Sequence, residues 1–496
     1  MPMGRNGAGN PAVAIIGGGL SGTLLAIQLL QRASNLDITV IEPREELGLG
    51  IAYSTRESHH LLNVRAGAIS ALPDRPAHFL GWLTQHSPKL AVSDSFVPRR
   101  TYGRYIRDLL DTAKSQANPS VQFEHRRAEA IAVERGGRGI EVVLRDGDIV
   151  STDYAVVALG NSYSSCAPVE AFSASTPAGY FSSPWDPESL GNLTEDGAVV
   201  LIGAGLTAVD TILSLQAQGH RGSIHVISRH GLMPQVHGHG NSAPVNFDDV
   251  RTLPVSGSIR ALLGAVRGKV ARVQAQGGDW RAVVDGLRPW TNEIWQGLPV
   301  AEQRRFVRHL SAIWDVHRHR MAPEVGDVIF MLMEQGRLCV HAGRVQSLAN
   351  DREAILVRVK PRHSEKAAEL RVARVINCAG FVSHYSKIEH PLLKNLLAAG
   401  RISPGVLGIG FKATKEGQLL RPDGDHSEGL FTLGPCRRGP LFESVAVPEI
   451  RVQAAEMAQH LVSLAMPKEI TSQRNRMQYG LGLLEESIAS AASPLA

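Results

Sequence analysis

The chain has 496 residues, 43% of them hydrophobic and 20% charged, and carries a net charge of +5. That length calls for two or more domains, and basic residues scattered without a long Lys/Arg block argue against nucleic acid and for small anionic partners. The four cysteines, Cys166, Cys339, Cys378 and Cys436, form no CxxC pair, which argues against a disulfide framework and a dithiol reductase centre and for a reducing cytoplasm.

First in chain order comes PAVAIIGGGLSGTLLAIQLL, residues 11–30, a run without a charge. It is long enough for a membrane span or a signal peptide, but Gly17, Gly18 and Gly19 interrupt it. AVAII reads as a buried parallel strand and SGTLLAIQLL as a helix. DITVIEP then reads as a second strand ending in Glu42. Between the first strand and the helix stands Gly17-x-Gly19-x-x-Gly22. Gly17 permits the tight turn, Gly19 lets the backbone approach a pyrophosphate, and Gly22 packs helix on strand. The helix N-terminus offers free N–H groups, and Glu42 accepts from ribose hydroxyls. This first site reads as FAD. No other uncharged run approaches membrane-spanning length, so no membrane partner is expected.

The pattern returns as Gly203-x-Gly205-x-x-Ala208 in AVVLIGAGLTAVDTILSLQAQG, with SIHVISR as its second strand. The position that corresponds to Glu42 is Ser228, followed by Arg229. A carboxylate repels a ribose 2′-phosphate, whereas a hydroxyl and a guanidinium bind it. The second site therefore reads as NADPH, the alternative being that Arg229 is a solvated loop residue. Returning strands end at Gly160 (DYAVVALGN) and Gly380 (ARVINCAG), each after a β-meander, and both glycines are assigned to the FAD side. The fold class that follows is α/β with two dinucleotide-binding, Rossmann-like domains. The FAD domain is discontinuous, over 1–175 and 376–465. The NADPH domain covers 190–375 and carries a helical insertion at 245–330, where apolar residues recur at helical spacing. The insertion is expected to roof the cleft between the cofactors, with dimerisation as the alternative. Residues 466–496 read as a tail.

Five blocks occur in order: GIAYSTRESHHLLNVRAGAISALPDRPAHFLGWL, FVPRRTYGRYI, LIGAGLTAVD, WDVHRHRMAP and GPLFESVAVPEIRVQA. Together, over about residues 12–465, the chain resembles a bacterial family of FAD/NAD(P)-binding proteins. The characterised relatives this resemblance implies are nitrosuccinate-forming aspartate N-monooxygenases and, more distantly, class B flavin monooxygenases. Those enzymes use FAD and NADPH, and a flavin hydroperoxide oxidises the substrate. Where class B enzymes carry FxGxxxHxxxW, this chain has GYFSSPWDP, with Trp185 but no histidine, which weakens any transfer of Baeyer–Villiger chemistry.

The resemblance implies that Tyr53, Leu62, Asn63 and Val64 line the flavin, and that Gly434 in LFTLGPCRRGPLFE approaches its pyrimidine. Tyr53 and Asn63 fit equally as core polar residues. Arg318, Arg320, Arg437 and Arg438 read as holders of an anionic substrate, against the alternative of a salt-bridged interdomain face. His317-x-His319 and His237-x-His239 lack a third ligand at informative spacing, so no metal is expected. The leading expectation is an FAD- and NADPH-dependent monooxygenase that uses O2 to hydroxylate a small amine or amino acid. A dehydrogenase or reductase without oxygen insertion, and a non-catalytic flavin-loaded subunit, remain open. No nucleophile–base constellation marks a catalytic residue, and nothing in the chain sets the oligomeric state.

Overall fold

A computed structural model describes residues 9–137, 139–161, 171–172, 176–238, 244–246, 257–380, 384–385 and 388–465. Its first sheet has six strands, in the order Gln418–Leu420, His426–Thr432, Tyr154–Val157, Ala12–Ile16, Leu36–Ile41, Val121–Arg126. All pairings are parallel except that between the first two. The strand AVAII is apolar throughout because both its faces are covered. Val13 and Ile15 meet the helices Leu20–Arg32, Arg99–Gln116 and Val447–Ala465. Ala14 and Ile16 meet the opposite layer, a three-stranded meander and the helix Pro391–Ala398. The meander turns at Asp146-Gly147, where Gly147 has φ +93°.

In the second sheet Val199–Ile202 lies between Ile224–Ser228 and Arg374–Asn377, parallel to both. The long strand Leu338–Asp351 runs parallel to Ile224–Ser228 in its first part. Its second part pairs antiparallel with Ala354–Pro361, which in turn pairs with Ala368–Val372. The helices Leu206–Ala217 and Pro323–Glu334 pack into a core on one face.

Three expected boundaries shift. The strand Arg374–Asn377 belongs to the second sheet, so a boundary at 376 cuts through it, and the chain rejoins the first sheet only at Gln418–Leu420 and His426–Thr432. Ala171–Phe172 pairs with Ser347 and Leu348, so the first crossing precedes residue 175. The insertion ends before Pro323, because the helix Pro323–Glu334 packs with the second sheet rather than with the other insertion helices. Those others are Ile259–Ala275, Trp280–Leu287, Thr291–Gly297, Val300–His309 and Ser311–Arg318, gathered around a core of their own.

This bundle stands on the segment 439–449 that leads into the helix Val447–Ala465. Arg288 donates from Nε and Nη2 to the two carboxylate oxygens of Glu449 at 2.8 and 3.1 Å. Trp295 Nε1 donates to the Gly439 carbonyl at 2.9 Å. Asn292 and Glu443 exchange two hydrogen bonds, at 3.2 and 2.9 Å. Among the described residues no helix is long and apolar enough to cross a membrane. The expected tail, 466–496, lies outside the described residues.

Candidate dinucleotide and substrate site

Gly17 and Gly203 have the same φ, +107°, at the ends of corresponding strands. A Cβ on Gly17 would lie 2.6 Å from the Ala158 carbonyl oxygen, and one on Gly203 2.5 Å from that of Cys378, so neither position admits a side chain. Ala158 follows the strand Tyr154–Val157 and leads to Gly160; Cys378 follows Arg374–Asn377 and leads to Gly380. Gly380 is thus to Gly203 what Gly160 is to Gly17. It sits at the second turn, not at the FAD side where the sequence reading put it.

Gly19 caps the helix Leu20–Arg32 and Gly205 caps Leu206–Ala217, and no side chain accepts from either first turn. Around Gly205 nothing lies within 4 Å of a built Cβ, and around Gly19 the nearest atom is the Gly50 Cα at 3.6 Å. Open space in front of unbonded amides at a helix start is a cradle for phosphate. Ala208 is fully buried against the second sheet. Glu42 Oε2 accepts from the Gly18 N–H at 2.9 Å and Oε1 from the Arg44 N–H at 3.1 Å, which holds the carboxylate at the strand end.

A cavity of 520 Å³ runs from the first turn to the start of the helix that follows the second. Gly17, Gly19, Glu42 and Gly160 line it from the first sheet, and Leu206, Thr207 and Asp210 from the first turn of the second helix. Tyr53, Leu62, Asn63 and Val64 all stand on its wall, as does Trp185. Burial pushes the Tyr53 phenol up to about 12, with Arg99 opposing. Gly22 is not on the wall; it packs helix on turn. Gly434, at φ +69°, lies against Ser21 and donates to Gln453 Oε1 at 2.9 Å, which brings the next residue, Pro435, to the wall.

The loop that carries Tyr53, Leu62, Asn63 and Val64 is tied to the second unit. Arg99 Nη1 donates to Asp210 Oδ2 at 2.6 Å. His60 Nε2 lies 2.9 Å from Ser214 Oγ and 3.0 Å from the Asp210 carbonyl. His237 Nε2 donates to the Asn63 carbonyl at 3.0 Å, and burial with Arg320 nearby pushes its imidazole down to about 4. That bond gives His237 an interdomain use, while His239 and Cys166 lie outside the described residues. Among the described residues no three His, Cys, Asp or Glu side chains gather as for a metal.

At the end of Ile224–Ser228, Ser228 Oγ accepts from the Gly231 N–H at 3.1 Å and Arg229 is exposed. His230 Nδ1 lies 2.7 Å from Arg362 Nη1, and burial, Arg362, Arg229 and Arg344 together push its imidazole down. Three guanidiniums therefore lie within electrostatic reach of His230 just past this strand end.

Of the four arginines expected to meet substrate, three are committed elsewhere. Arg318 is buried between Glu443 at 3.4 Å and Glu449 at 3.9 Å. Arg320 is paired with Asp285. Arg437 is buried and donates to the carbonyls of Thr414 and Lys415 at 3.2 and 2.7 Å. Arg318 and Arg320 are thus paired with carboxylates and Arg437 is tied to backbone carbonyls, which favours the salt-bridged structural alternative over anion holding for these three. Arg438 lies over the Phe442 ring at 5.0 Å and makes no salt bridge among the described residues.

The residue of that block which reaches the cavity is His319, between the two paired arginines. Burial, reinforced by Arg318 and Arg438, pushes its imidazole down to about 3, so it is neutral at physiological pH. One turn earlier, burial pushes the Asp315 carboxyl up to about 6, against the pull of Arg438. The sequence offered no local signal for this, because the carboxylates that occupy the neighbouring arginines come from distant segments.

Residues 14–162 match the family described as FAD-NAD(P)-binding. An Escherichia coli (strain K12) protein named only as uncharacterized protein YdhS is 26% identical over 223 residues, 42% of this chain and 39% of that protein, so the match spans under half of this curated relative. Over nearly the whole chain the fold is that of two solved structures. The ornithine N-hydroxylase of Kutzneria sp. 744 superposes with a TM-score of 0.58 at 15% identity, covering 92% of this chain and 100% of that one. The bacillithiol disulfide reductase of Staphylococcus aureus gives 0.53 at 12% identity, covering 92% and 100%. Residues 14–162 are thus an FAD/NAD(P)-binding domain, and the chain as a whole shares its fold with the ornithine N-hydroxylase and the bacillithiol disulfide reductase.

Proposed function

We propose that the protein is an FAD- and NADPH-dependent monooxygenase that hydroxylates the nitrogen of a small amine or amino acid. The observation that carries this reading is the 520 Å³ cavity lined both by the first glycine turn and by Leu206, Thr207 and Asp210 of the helix that follows the second. The fold likeness to the ornithine N-hydroxylase supports the choice of a nitrogen nucleophile. The absence of a CxxC pair weighs against a dithiol reductase.

The residues fit both nucleotides. The unbonded amides at the start of Leu20–Arg32 would hold the FAD pyrophosphate and Glu42 its ribose; Gly205 and the amides after it would hold the NADPH pyrophosphate. Ser228, Arg229, Arg344 and Arg362 would meet the 2′-phosphate. Bound FAD, once reduced by NADPH, supplies the redox and oxygen chemistry. The chain's own part is to orient the amine and keep water out. Tyr53, Val64 and Trp185 give an apolar wall, and His319, just past the last insertion helix, stands on the same lining. A neutral imidazole there offers a hydrogen-bond donor and an acceptor without adding charge.

The test is a panel of small amines and amino acids offered with NADPH and O2. Amine-dependent NADPH consumption with a matching yield of hydroxylamine is expected. NADPH-driven dye reduction that no amine stimulates would make the protein a dehydrogenase, and no NADPH-driven flavin reduction at all would make it a non-catalytic flavin carrier.

A further inference from the structure

The insertion bundle encloses a second cavity, of 420 Å³, which shares no lining residue with the nucleotide cavity. The helix Ser311–Arg318 lies between them. His317 faces the second cavity, and His319, just past the helix end, faces the first. The bundle has a thin core: of its apolar side chains only Ile259, Leu262, Val283, Leu287, Ile294 and Leu298 are buried in the cluster. Ile259, Leu262, Leu287, Ile294 and Leu298 of that core also line the cavity, together with Trp280, Trp295 and Trp314.

The shape follows from one helix. Along Ile259–Ala275 the residues Ile259, Leu262, Leu263, Val266, Val270 and Gln274 line the cavity at helical spacing. At 1.5 Å per residue, that strip is about 22 Å long. The cavity is therefore an elongated apolar slot, open to solvent on one side. At interior packing density about three quarters of its volume is filled by atoms, the room a medium-length acyl chain takes.

The charge also comes from this helix. Its sequence, IRALLGAVRGKVARVQA, has three arginines and one lysine and no acidic residue. Arg267 lies at the slot, is exposed, and makes no ion pair among the described residues. We infer that the slot binds a medium-length acyl chain with an anionic head, the chain lying along the Ile259–Gln274 strip and the head at Arg267. An apolar tail removes the wall from water, and a carboxylate meets the one guanidinium on the slot lining.

The experiment titrates dodecanoate, below its micellar concentration, into the FAD-loaded full chain. Tryptophan fluorescence and calorimetry follow it, since three tryptophans line the slot. Saturable binding at one site, unaffected by NADP+, is expected. Arg267→Gln should weaken dodecanoate about tenfold, the loss of one charge-assisted bond, and leave dodecanol unchanged. Val266→Trp should fill the slot and abolish binding. Ile313→Glu should do the same from a site that is 43% exposed, where a folding failure is not at issue. The proposal is overturned by an absence of saturable binding, by competition with NADP+, or by equal affinities for dodecanol and dodecanoate. Sedimentation with anionic phospholipid vesicles, without any response to monomeric dodecanoate, also overturns it, since the basic helix would then meet a bilayer surface.

Discussion

A methyl group on Gly22 would sit 2.0 Å from the carbonyl oxygen of Gly17, whereas one on Gly19 would meet nothing closer than 3.6 Å. The two glycines of one motif should therefore respond differently to substitution. Gly22→Ala forces the helix off the turn and is expected to cost about 1–3 kcal/mol, read as a lowered denaturant midpoint. Gly19→Ala should be accepted, and Gly19→Trp should keep the fold but lose FAD and its yellow colour; a folded, fully flavinylated Trp variant would break the assignment. At the second turn, Arg229→Ala should weaken NADPH by about 1.5–3 kcal/mol and leave NADH nearly untouched. Equal losses for the two coenzymes would show that Arg229 does not read the phosphate. The pattern of glycines and Glu42 against Ser228-Arg229 was legible in the chain because it is local. Arg362 was not, since it reaches His230 from 132 residues downstream. The same limit misdirected the reading of WDVHRHRMAP. Charge drew attention to Arg318 and Arg320, but the carboxylates that satisfy them are Glu443, Glu449 and Asp285, and no local pattern announces such partners.

The helix Ser311–Arg318 brings a carboxyl and, just past its end, an imidazole to half-buried positions with opposite pH consequences. Asp315 titrates at about 6 when folded, against about 4 in the unfolded chain, so the folded state holds the proton more tightly. Its contribution is fully present below pH about 4 and is lost as pH rises through 6. Asp315→Asn removes that loss, so the thermal midpoint of the variant should gain on wild type as pH rises from about 4 to about 6. A difference in midpoint that stays constant over this range would show that the carboxyl is not so perturbed. His319 and His237 are displaced downwards, to about 3 and about 4, so their contributions are present above pH about 6.5 and are lost as pH falls below it. At this scale the sequence was readable where periodicity speaks, in the glycine-turn helices and the insertion helices. It misled at Gly380, because a strand that ends in small residues looks the same in either sheet. Only pairing with Val199–Ile202 decides the matter, and pairing is a long-range property.

Arg99 and Asp210 join the two nucleotide-binding units with side chains only 14% and 8% exposed. Removing one partner of such a pair leaves the other charge buried and unmet. Asp210→Ala is therefore expected to cost about 3–5 kcal/mol in chemical unfolding, and the double variant Arg99→Met with Asp210→Leu to recover most of it. If the double variant falls as far as the single one, the pair itself and not the stranded charge carries the stability. The chain announced two glycine turns but not how they face each other. That relation rests on His60, Arg99, Asp210 and His237, none of which belongs to either motif. These ties hold the second helix start against the wall that carries Tyr53 and Asn63. Electron delivery within this chain then needs no diffusive swing of one unit past the other, and such swings are slowed by the friction of the medium. Flavin reduction by saturating NADPH should accordingly keep the same rate in buffer and in concentrated sucrose, and a rate that falls in proportion to viscosity would mean that the ties open in every turnover.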